Sequence, residues 1–183
     1  MQEELGRIGE ERFRREFECE FLIFDETLIS SVCLAELQGI DPKEKLGQVR
    51  WYGKIKPNGT YLVALDPATG TGGDYSAIEI FELPSFEQIG EWHHNTTQVK
   101  EQIRLLKDIT TYIQAQGDPQ IYYSVENNTI GEACLISIKD IGEDNIPGLF
   151  LSEPIRKGHV RKFRKGFNTT HKTKMTAAVK LKS

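Results

Sequence analysis

Apolar positions along the chain concentrate in two short runs. Tyr61, Leu62, Val63, Ala64 and Leu65 lead into Asp66, and Ile121, Tyr122, Tyr123, Ser124 and Val125 lead into Glu126. Nearly continuous runs of strand-forming residues predict central strands buried on both faces. Between them, residues 77–83 (AIEIFEL) alternate apolar with acidic positions, and residues 88–93 (QIGEWH) follow after the short link Pro84-Ser85-Phe86. Connections this short predict three consecutive antiparallel strands. Val99, Ile103, Leu106, Ile109, Tyr112 and Ile113 recur at steps of three and four, so residues 97–116 read as an amphipathic helix stopped by Gly117-Asp118-Pro119. A helix over about 130–141, a short strand at 149–151, a basic loop and a helix from about Lys172 complete the series. Three antiparallel strands followed by β-α crossovers predict an α/β fold, a mixed sheet flanked by helices with ribonuclease H-like topology.

The first third of the chain has a weaker pattern. Leu5, Ile8, Phe13 and Phe17 recur at near-helical intervals in a charge-rich stretch, which predicts a short amphipathic helix. Asp41-Pro42 reads as a helix start and Lys56-Pro57-Asn58-Gly59 as a turn. Residues 1–59 are therefore expected to be a lead-in or linker, and residues 60–183 the main domain. Hydrophobic residues make up 38% of the 183, enough to expect a folded core. Cys19, Cys33 and Cys134 are odd in number and widely spaced, which argues against a disulfide framework or a zinc cluster and suggests a reducing cytoplasm. Neither a signal peptide nor a membrane span is expected, since no apolar stretch approaches the roughly 18 residues a span needs.

Charge changes the picture through its distribution. The net charge is −4, yet ten Lys or Arg and no Asp or Glu fall between Arg156 and Ser183, leaving 13 basic against 27 acidic residues elsewhere. Arg156, Lys157, Arg161, Lys162, Arg164, Lys165, Lys172 and Lys174 form a basic segment interspersed with Gly158, Gly166, Phe163 and Phe167. Such a mobile basic loop suits phosphate contact without base readout; the plainer reading is a solvated tail.

The candidate chemistry lies at the strand ends. Asp66 closes one strand and opens the turn 66–77 (DPATGTGGDYSA), whose glycines allow backbone to approach a phosphate; Asp74 closes that turn. The plainer reading makes Asp66 a loop cap and the glycines a hairpin. A right-handed crossover, however, places the strand of Glu126 parallel and adjacent to that of Asp66, about 5 Å away. Carboxylates that close repel unless a divalent cation neutralises them, and Mg²⁺ or Mn²⁺ is the economical partner. His93-His94 does not suit zinc, because adjacent strand residues face opposite ways. Asn127-Asn128-Thr129 is expected to cap the following helix.

Three segments carry a family resemblance: residues 65–77 (LDPATGTGGDYSA), Val125-Glu126-Asn127-Asn128, and residues 166–174. Together they resemble the nuclease domain of the large terminase subunit of T-even-like tailed bacteriophages. Residues 9–21 also look like the junction that follows the ATPase domain in that family. The resemblance implies a metal-dependent endodeoxyribonuclease that cuts concatemeric double-stranded DNA during genome packaging, in the cytoplasm of the infected bacterial host. It implies two-metal phosphodiester hydrolysis in which Asp66 bridges two ions and Glu126 holds one, with Asp74 an outer-shell group or substitute ligand. The implied partners are the terminase ATPase domain, the portal protein and the small terminase subunit. The family's third catalytic Asp lies on a later helix, whereas no Asp follows Asp144 here, so a C-terminally incomplete domain is expected.

Two rival readings remain open at the level of sequence. One is an ATP-binding domain of the actin and sugar-kinase type, in which a strand ending in Asp precedes a Gly/Thr-rich turn. The other is an inactive module that holds DNA or docks a packaging motor. No GxxxxGK[ST] motif is present, so a P-loop ATPase is not encoded in these residues.

Overall fold

A computed structural model describes residues 35–157 and 160–182. The amphipathic helix expected near the N-terminus, the junction-like segment 9–21, Cys19 and Cys33 lie outside the described residues. Residues Ile40–His171 form one compact unit, and Lys172–Ser183 groups with Met1–Gly39 in another.

Seven strands of the larger unit form one mixed sheet in the order β1-β2-β5-β4-β3-β6-β7. They are β1 (Glu44–Leu46), β2 (Val49–Trp51), β3 (Thr60–Asp66), β4 (Ser76–Leu83), β5 (Glu87–His94), β6 (Gln120–Val125) and β7 (Leu149–Phe150). Helix α1 (Val99–Gln114) joins β5 to β6, and α2 (Gly131–Ile141) with the 3-10 turn Glu143–Asn145 joins β6 to β7. As the pattern predicts, β3, β4 and β5 are antiparallel neighbours, and β6 returns parallel to β3. This is the expected ribonuclease H-like mixed sheet.

Strands β3 and β6 are not buried on both faces. Tyr61, Val63 and Leu65 are buried and alternate with half-buried Leu62 and Ala64, and β6 alternates likewise. The physical reason is one-sided packing. The apolar stripe of α1, with Ile103, Leu106, Ile109 and Ile113 buried, joins Val63, Leu65, Ile78, Ile80, Trp92, Tyr123 and Val125 in a single core that also takes in Cys134 and Ile138 of α2. Each such aliphatic side chain contributes about 1.5–3 kcal/mol by leaving water. Burial among these residues pushes the Cys134 thiol up to about 12, so it behaves as a small apolar residue.

Two expectations need correction. Residues 40–59 are part of the domain and not a lead-in: β1 and β2 form a hairpin, β2 pairs with β5, and Trp51 packs on Tyr112 of α1 with ring centroids 5.1 Å apart. Asp41-Pro42 starts no helix; the chain runs from there without regular structure, through a bend at Lys43, into β1. The basic segment, expected as a loop, instead forms strands and a helix. Strands β8 (Ser152–Lys157) and β9 (Val160–Lys165) pair in an antiparallel hairpin, and helix α3 (His171–Lys182) follows.

Candidate active site

Asp66 and Glu126 stand at the carboxyl ends of neighbouring strands because β3 and β6 are parallel and in register, Leu65 opposite Val125. The Glu126 amide donates to the Leu65 carbonyl at 2.8 Å, which fixes the two residues side by side. A cleft of about 360 Å³ opens over this end of the sheet, lined by Asp66, Glu126, Glu79, Ser124, Phe167 and Thr169 over a floor that includes Ala64 and Ala77. Asp66 is exposed, yet crowding by its surroundings strips part of the hydration of its carboxylate. That desolvation, then a hydrogen bond with Glu126 and the Glu126 charge, pushes Asp66 up to about 7. The pair therefore holds a proton where isolated carboxylates would have lost theirs.

Glu126 is oriented by a neighbour that the sequence pattern assigned elsewhere. Asn128 donates its side-chain amide to Glu126 Oε1 at 2.9 Å, and Asn127 donates its own to the Lys165 carbonyl at 3.0 Å. Neither caps α2, whose N-cap is Ile130 with no side-chain cap bond. Position 126 is also tied to the return of the basic hairpin: the Phe167 amide donates to the Val125 carbonyl at 3.0 Å, and the Asn127 amide to the Phe167 carbonyl at 2.7 Å. Gly166 makes this possible, since at φ +75° a Cβ there would lie 2.4 Å from the Val125 carbonyl oxygen.

Asp74 is not brought into the cleft. It sits in the exposed turn between β3 and β4, outside the lining residues. The glycines of that turn serve the chain's own packing: a Cβ at Gly70 would meet the Thr97 carbonyl oxygen at 2.3 Å, and the Gly72 amide donates to the Asn95 carbonyl at 2.9 Å. Behind it, the buried Gln102 amide donates to the carbonyls of Ala68 and Thr97, each at 2.7 Å, clamping the turn to the start of α1. His93 and His94 diverge as expected, His94 bonding Thr97 while the His93 ring lies tilted beside Tyr75, centroids 5.7 Å apart.

Glu79 is the acid that sequence reasoning passed over. In β4 it pairs with Ala64, on the same face as Asp66, and burial together with the Glu91 charge raises its carboxyl above the usual range. Gln88 donates to it at 2.5 Å. The only sequence signal was the period-two alternation that puts Ala77 and Glu79 on one face. Among the described residues, no group of three or more His, Cys, Asp or Glu is close enough to hold a metal ion, so Glu79 stands apart from the pair.

The basic segment is partly neutralised. Arg164 Nε donates to Glu153 across the hairpin at 2.7 Å, and Lys165 pairs with Glu143 at 2.5 Å while lying over the Phe150 ring. Lys162 is exposed. Arg156, Lys157 and Arg161 share the hairpin backbone, whereas Lys172 and Lys174 belong to the other compact unit. Among the described residues, no helix is long and apolar enough to cross a membrane.

No protein-family model matches the chain, and no curated protein matches it. Solved structures do. The large terminase nuclease from thermophilic phage G20c with bound magnesium superposes with a TM-score of 0.53 at 15% identity, covering 78% of this chain and 62% of that one. The same nuclease with bound zinc gives 0.47 at 15% identity over 61% and 59%, and the large terminase nuclease domain of Thermus phage P74-26 gives 0.36 at 14% over 69% and 79%. At such identities the likeness is one of fold. The chain spans about three-fifths of the length of that first neighbour.

Proposed function

We propose that this chain is the nuclease domain of a phage large terminase subunit, a metal-dependent endodeoxyribonuclease that cuts concatemeric viral DNA during packaging in the host cytoplasm. The observation that carries the reading is the Asp66–Glu126 pair at the ends of adjacent parallel strands, with Asp66 raised to about 7 by its partner and its surroundings. The magnesium-bound terminase nuclease among the fold neighbours supports it. On this reading double-stranded DNA is the substrate, and the terminase ATPase domain, the portal protein and the small subunit are partners.

The donor set fits a hard divalent cation, Mg²⁺ or Mn²⁺. Both groups are carboxylates, and their repulsion is relieved by positive charge as readily as by a proton. Bound there, one or two such ions would activate a water and neutralise charge on the phosphate under attack. Asp66, once deprotonated, would offer oxygen donors to such an ion, and Glu126 would offer its carboxylate, with Oε1 held by Asn128. The exposed Lys162 and the hairpin that carries it attract the phosphate backbone. Asp74 stays a candidate outer group that the turn would have to carry inward.

A second reading, a module that holds DNA without cutting it, is favoured by the lack of a third acid beside the pair among the described residues. Nicking of supercoiled plasmid separates them. Mn²⁺-dependent nicking lost in both Asp66→Asn and Glu126→Gln supports the nuclease. DNA binding with no nicking by the wild type supports the holding module. Nucleotide titration by calorimetry tests the ATP-binding alternative, for which no heat is expected.

A further inference from the structure

The geometry points to Phe167 as a nucleoside platform: an aromatic face beside the Asp66–Glu126 pair that stacks on an unpaired base next to the phosphate to be cut. This inference rests on the nuclease reading and adds a substrate preference to it, for DNA that is locally unpaired at the cut.

Phe167 is 48% exposed although the core offers aromatic side chains cover elsewhere, with Trp51, Trp92, Tyr61 and Tyr123 all 3% exposed or less. Its exposure is not that of a loose loop. Phe167 forms a parallel bridge with Glu126 itself and is bonded through its amide to Val125 and through its carbonyl to Asn127. The Asn168 side chain donates to the Asn127 carbonyl at 3.2 Å and fixes the chain just beyond. The Phe167 backbone is therefore held about one interstrand spacing, roughly 5 Å, from that of a proposed metal ligand, and its side chain lines the same cleft.

What surrounds the ring is also informative. The cleft beside the acids is also lined by Ala64, Ala77 and Ser124, short side chains that fill little of it. A phosphate requires positive charge or amide donors, and these three side chains offer neither. A flat apolar group of nucleoside size suits them, with the adjoining phosphate towards Asp66 and Glu126. In duplex DNA both faces of each base are covered by its neighbours, so only an unstacked base can present a face to a ring. The basic hairpin leading into Phe167, with Lys162 exposed on it, supplies the attraction for the strand.

The test uses the full chain with Phe167→Ala and Phe167→Trp and three oligonucleotides: a perfect duplex, the same duplex with one unpaired base, and that substrate with the unpaired base made abasic. Binding is measured with Ca²⁺ and cleavage with Mn²⁺. Phe167→Ala is expected to weaken binding to the unpaired-base substrate roughly 5- to 150-fold, the range of base–aromatic stacking. It should leave the perfect duplex, the abasic substrate and the calorimetric Mn²⁺ affinity little changed. The native tryptophans are buried and shielded from a bound base, so DNA-dependent quenching seen in Phe167→Trp but not in the wild type reports the new ring, and such quenching by the unpaired base but not by the abasic substrate is expected. Equal losses on all three DNAs, no loss, or no quenching overturn the platform. Mn²⁺ cleavage by the wild type together with a neutral Phe167→Ala rejects the platform and keeps the nuclease. Quenching without any cleavage keeps the platform and rejects the nuclease.

Discussion

The side-chain amide of Asn128 donates to Glu126 Oε1 at 2.9 Å, two residues along the chain. Such a bond orients a carboxylate before a cation arrives. Asn128→Ala is expected to weaken Mn²⁺ binding about 10-fold or more, the usual effect of removing a group that orients a metal ligand. Asn128→Asp replaces the donor by a third acid and should bind Mn²⁺ more tightly than Asn128→Ala. Calorimetry on both variants checks the order, and equal affinities would show that Asn128 has no orienting role.

The raised carboxyl of Asp66 gives the metal-free protein a definite pH response. Between the ordinary value of 3.8 and about 7 the folded state keeps a proton that the unfolded state releases, so this group lowers stability as pH rises through that window. Denaturation in EDTA should show Asp66→Asn with a shallower loss than the wild type from pH 5 to 8. Mn²⁺ affinity should climb over the same interval and level above about 7, because the cation displaces the proton. Flat affinity from pH 5 to 8 would contradict the assignment.

Ion pairing within the hairpin predicts unequal roles for its basic residues. Lys162 is exposed, and Lys162→Ala should flatten the log–log salt dependence of duplex binding by about 0.9. Arg164 is held by Glu153, so Glu153→Gln should release it, raise duplex affinity and steepen that slope. Affinities measured from low to moderate salt decide the matter; a Glu153→Gln protein that binds no better would place Arg164 away from DNA.

Gln102 is buried, and its amide satisfies the carbonyls of Ala68 and Thr97. Gln102→Met keeps most of the volume and removes both bonds, and a loss of about 2 kcal/mol is expected from leaving buried carbonyls unpaired. Chemical denaturation measures it. Increased proteolysis within the 67–75 turn should accompany the loss, whereas an unchanged midpoint would mean that water replaces the amide.

The sequence by itself determined the order of the main elements and the identity of the acidic pair. Tyr61 to Asp66 and Ile121 to Glu126 are apolar runs ending on carboxylates, and a helix between them with a clear 3.6-residue stripe forces a parallel return. Local chemistry was enough for that. Tertiary structure alone decided what depends on partners distant in the chain. β1 and β2 are three residues each, too short to show a period, and exist by pairing on the edge of β5. One-sided cover by α1 and α2 leaves half of β3 and β6 facing the cleft, so that Glu79 lines the same cleft at a remove from the pair and Asp74 is left out of it. The basic segment has no acid of its own, yet Glu143 and Glu153 reach it from upstream, across the 3-10 turn and the hairpin. Phe167 meets Glu126 only because Gly166 lets the returning strand touch the sheet, a close approach that sequence spacing does not record.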